Sequence, residues 1–383
     1  MSTDVVAAPG LVPGAPSVSE AEERISVATQ WQLVWWRFRK HRLAVVSAVV
    51  LSAFYIIVAF ADFFAYADPV ASEAQRGLIA PQAVHLFSDG GPSVDALVGT
   101  RDPQTFKRVY VPDPSQHVRV QFLIQGFPYK LFGFIPLDVH LMGVQSDGRT
   151  AENSLFLLGT DIQGRDLWSR LMYGTQISML IGLASVSLSL FLGVLLGGIA
   201  GYFGGLADTL VMRMVEILRS IPTIPLWMGL AAALPRDWDI VRVFFVMTII
   251  FALVQWTELA RVVRGRFLSL REEDFVMAAE LAGCSQPRII FRHMVPSFLS
   301  HIIAATTLSL PQIIIFETSL SFLGLGLRPP AISWGVMLQQ ASNVQTLAIS
   351  PWLLLPAVPV IVAILAFNFL GDGLRDAADP YGV

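Results

Sequence analysis

Six apolar stretches, each about as long as a helix needs to cross a bilayer, constrain this chain more than any other feature. They run roughly over 43–60, 176–200, 210–234, 241–258, 301–323 and 351–370. The hydrocarbon core is about 30 Å thick and a helix rises about 1.5 Å per residue, so roughly 20 residues suffice. No water reaches backbone groups there, and each crossing must satisfy its own N–H and C=O groups as a helix. Composition agrees: 54% of the 383 residues are hydrophobic and 14% charged, with a mean hydropathy of +0.60. Soluble domains hold about a quarter charged residues. The expected fold class is therefore an all-α polytopic membrane protein with six transmembrane helices. The third stretch is the weakest, because Arg213, Glu216 and Arg219 sit in its first half. A helical extension outside the bilayer accommodates them, with the apolar part beginning near Ile221.

The stretches divide the chain. Residues 1–42 are expected to be a tail, disordered over 1–20, where Ala, Val, Pro, Gly and Ser dominate. Trp31, Trp35 and Phe38 share a helical face beside Arg37, Arg39, Lys40 and Arg42. That pattern fits an amphipathic helix lying in the membrane interface, or a juxtamembrane stretch that only sets topology. Residues 43–63 make the first span. Residues 64–155 hold no run long enough to cross, and 117–124 begin with polar–apolar alternation. A small, partly β-structured insert between the first two spans is expected there. Residues 156–383 supply the other five helices.

Lys and Arg set orientation, since cytoplasmic loops collect them. Arg24, Arg37, Arg39, Lys40 and Arg42 precede the first span, and Arg261, Arg264, Arg266, Arg271, Arg288 and Arg292 lie between the fourth and fifth. An even number of crossings separates these clusters, so both termini are expected in the cytoplasm and the insert outside. Long loops such as the insert largely escape this rule.

Several function classes find no support. Net charge is −3, which gives no footprint for nucleic acid. Lys40, Lys107 and Lys130 follow no glycine loop, so no P-loop is present. Cys284 is the single cysteine and the six histidines show no metal-ligand spacing. No nucleophile–base set marks an intramembrane enzyme, and no catalytic residue, metal or cofactor is expected. A proton-coupled carrier has a candidate group in Glu317 but no need of a cytoplasmic docking element.

Such an element is the expectation for 261–296, which is too charged to span. Ser269 and Glu272 have capping-box spacing, and Glu272, Glu273 and Asp274 place negative charge in a first helical turn. Gly283 supplies a stop, Ser285 and Pro287 a second start, and Pro296 an end or bend. Phe275, Ala278, Ala279 and Ala282 fall at i, i+3, i+4 and i+7, a stripe small enough to let another protein approach.

Met277-Ala278-Ala279-Glu280-Leu281-Ala282-Gly283, followed after nine residues by His293-Met294-Val295-Pro296, resembles the EAA loop of bacterial ABC-importer permeases. It departs at Met277, where the family carries Glu; a Glu follows one turn later, at Glu280. Leu158 through Gly174, Leu320-Ser321-Phe322-Leu323-Gly324-Leu325-Gly326, Ser333-Trp334-Gly335 and Asn368 through Asp376 are similar to the C-type permease of the dipeptide/oligopeptide (nickel) transporter family. The resemblance implies a type I ABC-importer permease that docks through Phe275, Met277, Ala278, Ala279, Glu280, Gly283 and Pro296 onto an ATPase. It implies a second, homologous permease, two cytoplasmic ABC ATPase subunits or domains, an extracytoplasmic substrate-binding protein and the lipid of a bacterial inner membrane. Peptides are the default cargo; related systems carry nickel chelates and oligosaccharides.

Within the spans, Gly193, Gly197 and Gly201 form a ladder suited to close helix packing. Glu258 and Glu317 are costly in a membrane. Each, with Gln312, either faces a translocation path or pairs between helices; Glu317 can meet a substrate amine or a polar group of the second or sixth span. Gln255 and Asn368 fit interhelical hydrogen bonds.

Overall fold

The computed structural model describes residues 30–88, 91–101, 108–144 and 154–378. The tail expected over 1–20 lies outside the described residues. In chain order come α1 (Gln30–Lys40), α2 (Arg42–Ala59), β1 (Val84–Ser88), β2 (Gly91–Arg101), β3 (Arg108–Leu131) and β4 (Ile135–Val144). Then follow α3 (Leu167–Phe203), α4 (Gly205–Ser220), α5 (Thr223–Ala232), α6 (Ile240–Leu270), α7 (Asp274–Leu281), α8 (Leu299–Phe322), α9 (Trp334–Gln339) and α10 (Ala357–Ala378).

Among the described residues, five helical segments are long and apolar enough to cross a membrane: Arg42–Ala59, Leu167–Phe203, Ile240–Leu270, Leu299–Phe322 and Pro351–Ala377. The stretch expected as one continuous third span is instead broken into α4 and α5. Pro222 disfavours helical backbone in the residue before it, and Ile221 is extended at φ −91°, ψ 129°. The broken pair nevertheless runs antiparallel along α6. Asp208 meets Arg264, Val211 and Val215 pack with Trp256 and Ala260, and Trp227 Nε1 donates to the Ile250 carbonyl at 3.1 Å.

The four described strands between α2 and α3 form one antiparallel sheet in the order β1-β2-β3-β4. The alternation seen at 117–124 falls inside β3, whose first half pairs with β2 and second half with β4. Polar contacts fasten the strand-free segment after α2 to the start of α3. Tyr66 OH donates to Asp166, Trp168 Nε1 to the Phe64 carbonyl and Arg170 to the Pro69 carbonyl. At the other end of the bundle Phe38 of α1 is buried with Ala44 and Ala377. Phe38, one of the aromatic residues of α1, thus packs on α10 while Trp35 stays exposed.

The helical core depends on α3 against α6. A Cβ on Gly197 would lie 2.5 Å from the Ala260 carbonyl oxygen, and one on Gly201 2.7 Å from that of Arg264. Both obstacles are backbone, which has no rotamer to yield. Gly198 differs: its Cβ would rest 3.4 Å from the Phe267 ring. Gly197→Val and Gly201→Val should therefore each cost about 1–3 kcal/mol by overpacking, while Gly198→Ala should be near neutral. Thermal unfolding of the detergent-purified chain checks this; equal midpoints for all three variants would show that the ladder does not set helix spacing.

Candidate functional site

The segment expected to dock is built on the end of α6. That helix continues through Arg261, Arg264 and Arg266 to Leu270, so Ser269 lies inside it and the capping box expected with Glu272 does not form. Instead Glu273 is the residue before α7, without a side-chain cap. Gly283 ends α7 as expected. It sits at φ +73°, Cys284 N–H donates to the Ala279 carbonyl and Gly283 N–H to that of Glu280. These are the paired bonds of a Schellman stop. A second short helix starts at Gln286, widens to a π-turn over Ile289–Met294 and reaches Pro296, which has no N–H for the Arg292 carbonyl.

Orientation of α7 corrects one expectation. Val276 and Ala279 face inward and join Val263, Phe267, Ile289, Met294, Phe298 and Ile302 in a buried cluster. Ala279 therefore belongs to the packing that welds α7 to α6 and α8, and not to an approachable stripe. The outward face carries Phe275, Met277, Ala278 and Glu280, with Leu281 90% exposed and Phe291 60% exposed beside it. Glu280 also accepts a hydrogen bond from Tyr202 OH near the end of α3, at 3.2 Å. Sequence reasoning missed Leu281 and Phe291; two large apolar residues in a charged, membrane-excluded segment were the available signal. Nearby, Arg264 makes a bidentate pair with Asp208, whose carboxyl is held below its usual range chiefly by that hydrogen-bonded guanidinium.

A cavity of about 330 Å³ opens between α3, α6, α8 and α10. Its polar lining includes Gln255, Glu258, His301, Ser309, Gln312 and Arg375. Gln255 Nε2 donates to Gln312 Oε1 at 3.5 Å across α6 and α8, and Glu258 lies 3.9 Å from Arg219. Glu317 is elsewhere. It is fully buried and accepts from Ser178 of α3 at 3.0 Å and Ser321 at 2.9 Å. Ser178 Oγ in turn accepts from Trp334 N–H, and Ser321 Oγ from Leu327 N–H. Of its two readings, Glu317 is an interhelical partner of the second span; it does not line the cavity.

The motif between Leu158 and Gly174 closes the opposite end. Asp161 accepts from the Gln163 and Arg165 backbones and pairs with the Arg165 side chain at 2.7 Å. Gln340 reaches the same carboxylate at 3.3 Å and Arg170 at 3.5 Å. Asp166 caps α3 through Ser169 N–H at 2.7 Å. Burial pushes Asp166 up to about 6, while its hydrogen bonds from Ser169 and Tyr66 pull the other way. Family-like residues here form a structural latch among α3, the segment after α2 and the segment around α9.

Residues 193–381 match the model of the family described as binding-protein-dependent transport system inner membrane component. Residues 29–81 match the N-terminal TM domain of oligopeptide transport permease C. The chain is 40% identical over 223 residues to the oligopeptide transport system permease protein OppC of Haemophilus influenzae, covering 58% of this chain and 69% of that protein. It is 41% identical over 223 residues to OppC of Escherichia coli K12, covering 58% and 71%. Among solved structures, an inward-facing methionine ABC transporter MetNI overlaps 54% of this chain and 95% of its own at a TM-score of 0.39 and 18% identity. Family assignment rests on the sequence relatives. With its apolar helices, this chain belongs to the family of binding-protein-dependent transport system inner membrane components, as a multi-pass permease subunit of an ABC importer.

Proposed function

We propose that this subunit forms, with a second homologous permease, the path by which oligopeptides cross the bacterial inner membrane, driven by ATP hydrolysis in two partner ATPase subunits or domains. Oligopeptide is the cargo named for its relatives. The cavity suits that cargo, because Gln255, Ser309 and Gln312 offer amide and hydroxyl partners to a peptide backbone without selecting side chains. Glu258 and Gln312 are exposed, so the cavity is half of a path that a second permease completes. A substrate-binding protein delivers cargo from outside.

Topology in this reading has six crossings. Of the α4–α5 pair, α4 carries Arg213, Glu216 and Arg219 in an extension outside the bilayer, and the apolar segment from Ile221 through α5 makes the remaining crossing alongside α6. Both termini and α7 are cytoplasmic, and residues 64–155 lie outside. A reporter fused at Asp113 should give an extracytoplasmic signal; a cytoplasmic one overturns the model.

The observation that carries the coupling role is the exposed apolar face at the end of α7, led by Leu281. Leu281→Asp and Ala278→Trp should leave membrane insertion and thermal stability unchanged but lower ATPase association and uptake at least tenfold. Ala279→Trp should instead destabilise the chain by about 1–3 kcal/mol through overpacking. Gly283→Val should break the stop, because a β-branched residue is strained at φ +73°, whereas Gly283→Asn should retain function. Full substrate-stimulated hydrolysis in both Leu281→Asp and Ala278→Trp would remove α7 as the transmission element.

A further inference from the structure

The insert brings together three side chains that no spacing in the sequence connects. His85 Nε2 on β1 lies 2.8 Å from Asp95 Oδ1 on β2, and His117 Nδ1 on β3 lies 3.4 Å from the same oxygen. The two imidazole rings are 4.8 Å apart between centroids. Ligand atoms of all three residues fall within 4.8 Å of one another.

Sheet register produces this cluster. Asp95 is the cross-strand partner of His117, and His85 faces Ser93, two residues before Asp95. Residues two apart on a strand share a face, so the three side chains emerge on one side of three adjacent strands. The β2–β3 ladder shifts register just after the Asp95–His117 pair, and such irregularities re-aim side chains. Asp95 is held in place. Its N–H donates to the Ala83 carbonyl at 3.4 Å, its carbonyl accepts from Gln82 at 2.9 Å, and its side chain is only 7% exposed.

We propose that His85, Asp95 and His117 bind a divalent transition-metal cation, with zinc as its probe. In a tetrahedral site with bonds of about 2.0–2.1 Å, neighbouring donor atoms stand roughly 3.3 Å apart. The 2.8 and 3.4 Å separations to Asp95 bracket that value, and the two imidazole nitrogens, within 4.8 Å of each other, come to it by side-chain rotation. Two imidazoles and one carboxylate suit zinc, copper or nickel, where magnesium and calcium take all-oxygen sets. The fourth position is open beside His85, which is 40% exposed. An ion there ties the edge strand β1 to β2 and β3, and so fixes the shape of the insert.

The test uses the full-length chain purified in detergent with a histidine-free tag and stripped by a chelator. Zinc titrated in competition with a chromophoric chelator should bind at one equivalent per chain with micromolar or tighter affinity. His85→Gln and His117→Asn, whose amide nitrogens take the places of Nε2 and Nδ1, each keep a side-chain N–H for Asp95 but supply a poor metal ligand. Each should weaken zinc binding at least tenfold with the unfolding midpoint of the metal-free protein unchanged. Cobalt should give tetrahedral absorption bands in the wild type that both variants lose. Absence of stoichiometric zinc in the wild type, or wild-type zinc binding in both variants, overturns the proposal.

Discussion

Contact between the bare backbone of α3 at Gly197 and Gly201 and that of α6 at Ala260 and Arg264 governs the arrangement of everything else. Lipid tails are as apolar as leucine, so helices gain little by hiding apolar side chains from them. Association depends on close packing and on polar groups that lipid cannot satisfy. Glycine at these positions lets two long helices approach until backbone touches backbone. Once α3 and α6 are locked, α4 and α5 have a surface to follow, and the end of α6 is fixed where α7 must attach.

The polar anchors act from the same helix. Ser178 on α3 gives Glu317 of α8 its partner, and Glu317 is fully buried. A buried carboxylate deprived of its hydrogen bonds costs far more than the bonds gain when made. This geometry therefore specifies one helix register more than it adds stability. At one end of α3, Asp166 and Arg170 hold the segment from which the insert departs. Near the other, Tyr202 reaches Glu280 on α7. One helix thus connects the insert, the core and α7 without a loop between them.

Much of this was legible in the chain itself. Helical spans follow from apolar runs because the bilayer admits no other backbone solution, and Gly283 as a helix stop follows from its tolerance of positive φ. The capping box at Ser269 misled because α6 gains more by continuing over Phe267 and packing on Val276 than by ending early. Ala279 misled for a related reason: a small residue fits either against a partner or inside a tight internal contact, and periodicity alone does not tell these apart. The break at Pro222 was visible as a proline, but whether such a residue bends a span or divides it depends on what its neighbours pack against.

Sequence alone determined the solvent: apolar length and the scarcity of charge commit these segments to lipid, and glycine spacing commits α3 to a close neighbour. It also determined the stop at Gly283 and the restart after Ser285, because those depend on φ preferences within a few residues. Tertiary structure decided which face of α7 is outward, that Glu317 belongs to Ser178 and not to the cavity, and that His85, Asp95 and His117 meet. Each of those outcomes requires residues distant in the chain to be brought to hydrogen-bonding range. Strand register and helix rotation fix that proximity, and neither is encoded in any window of the sequence short enough to read by pattern.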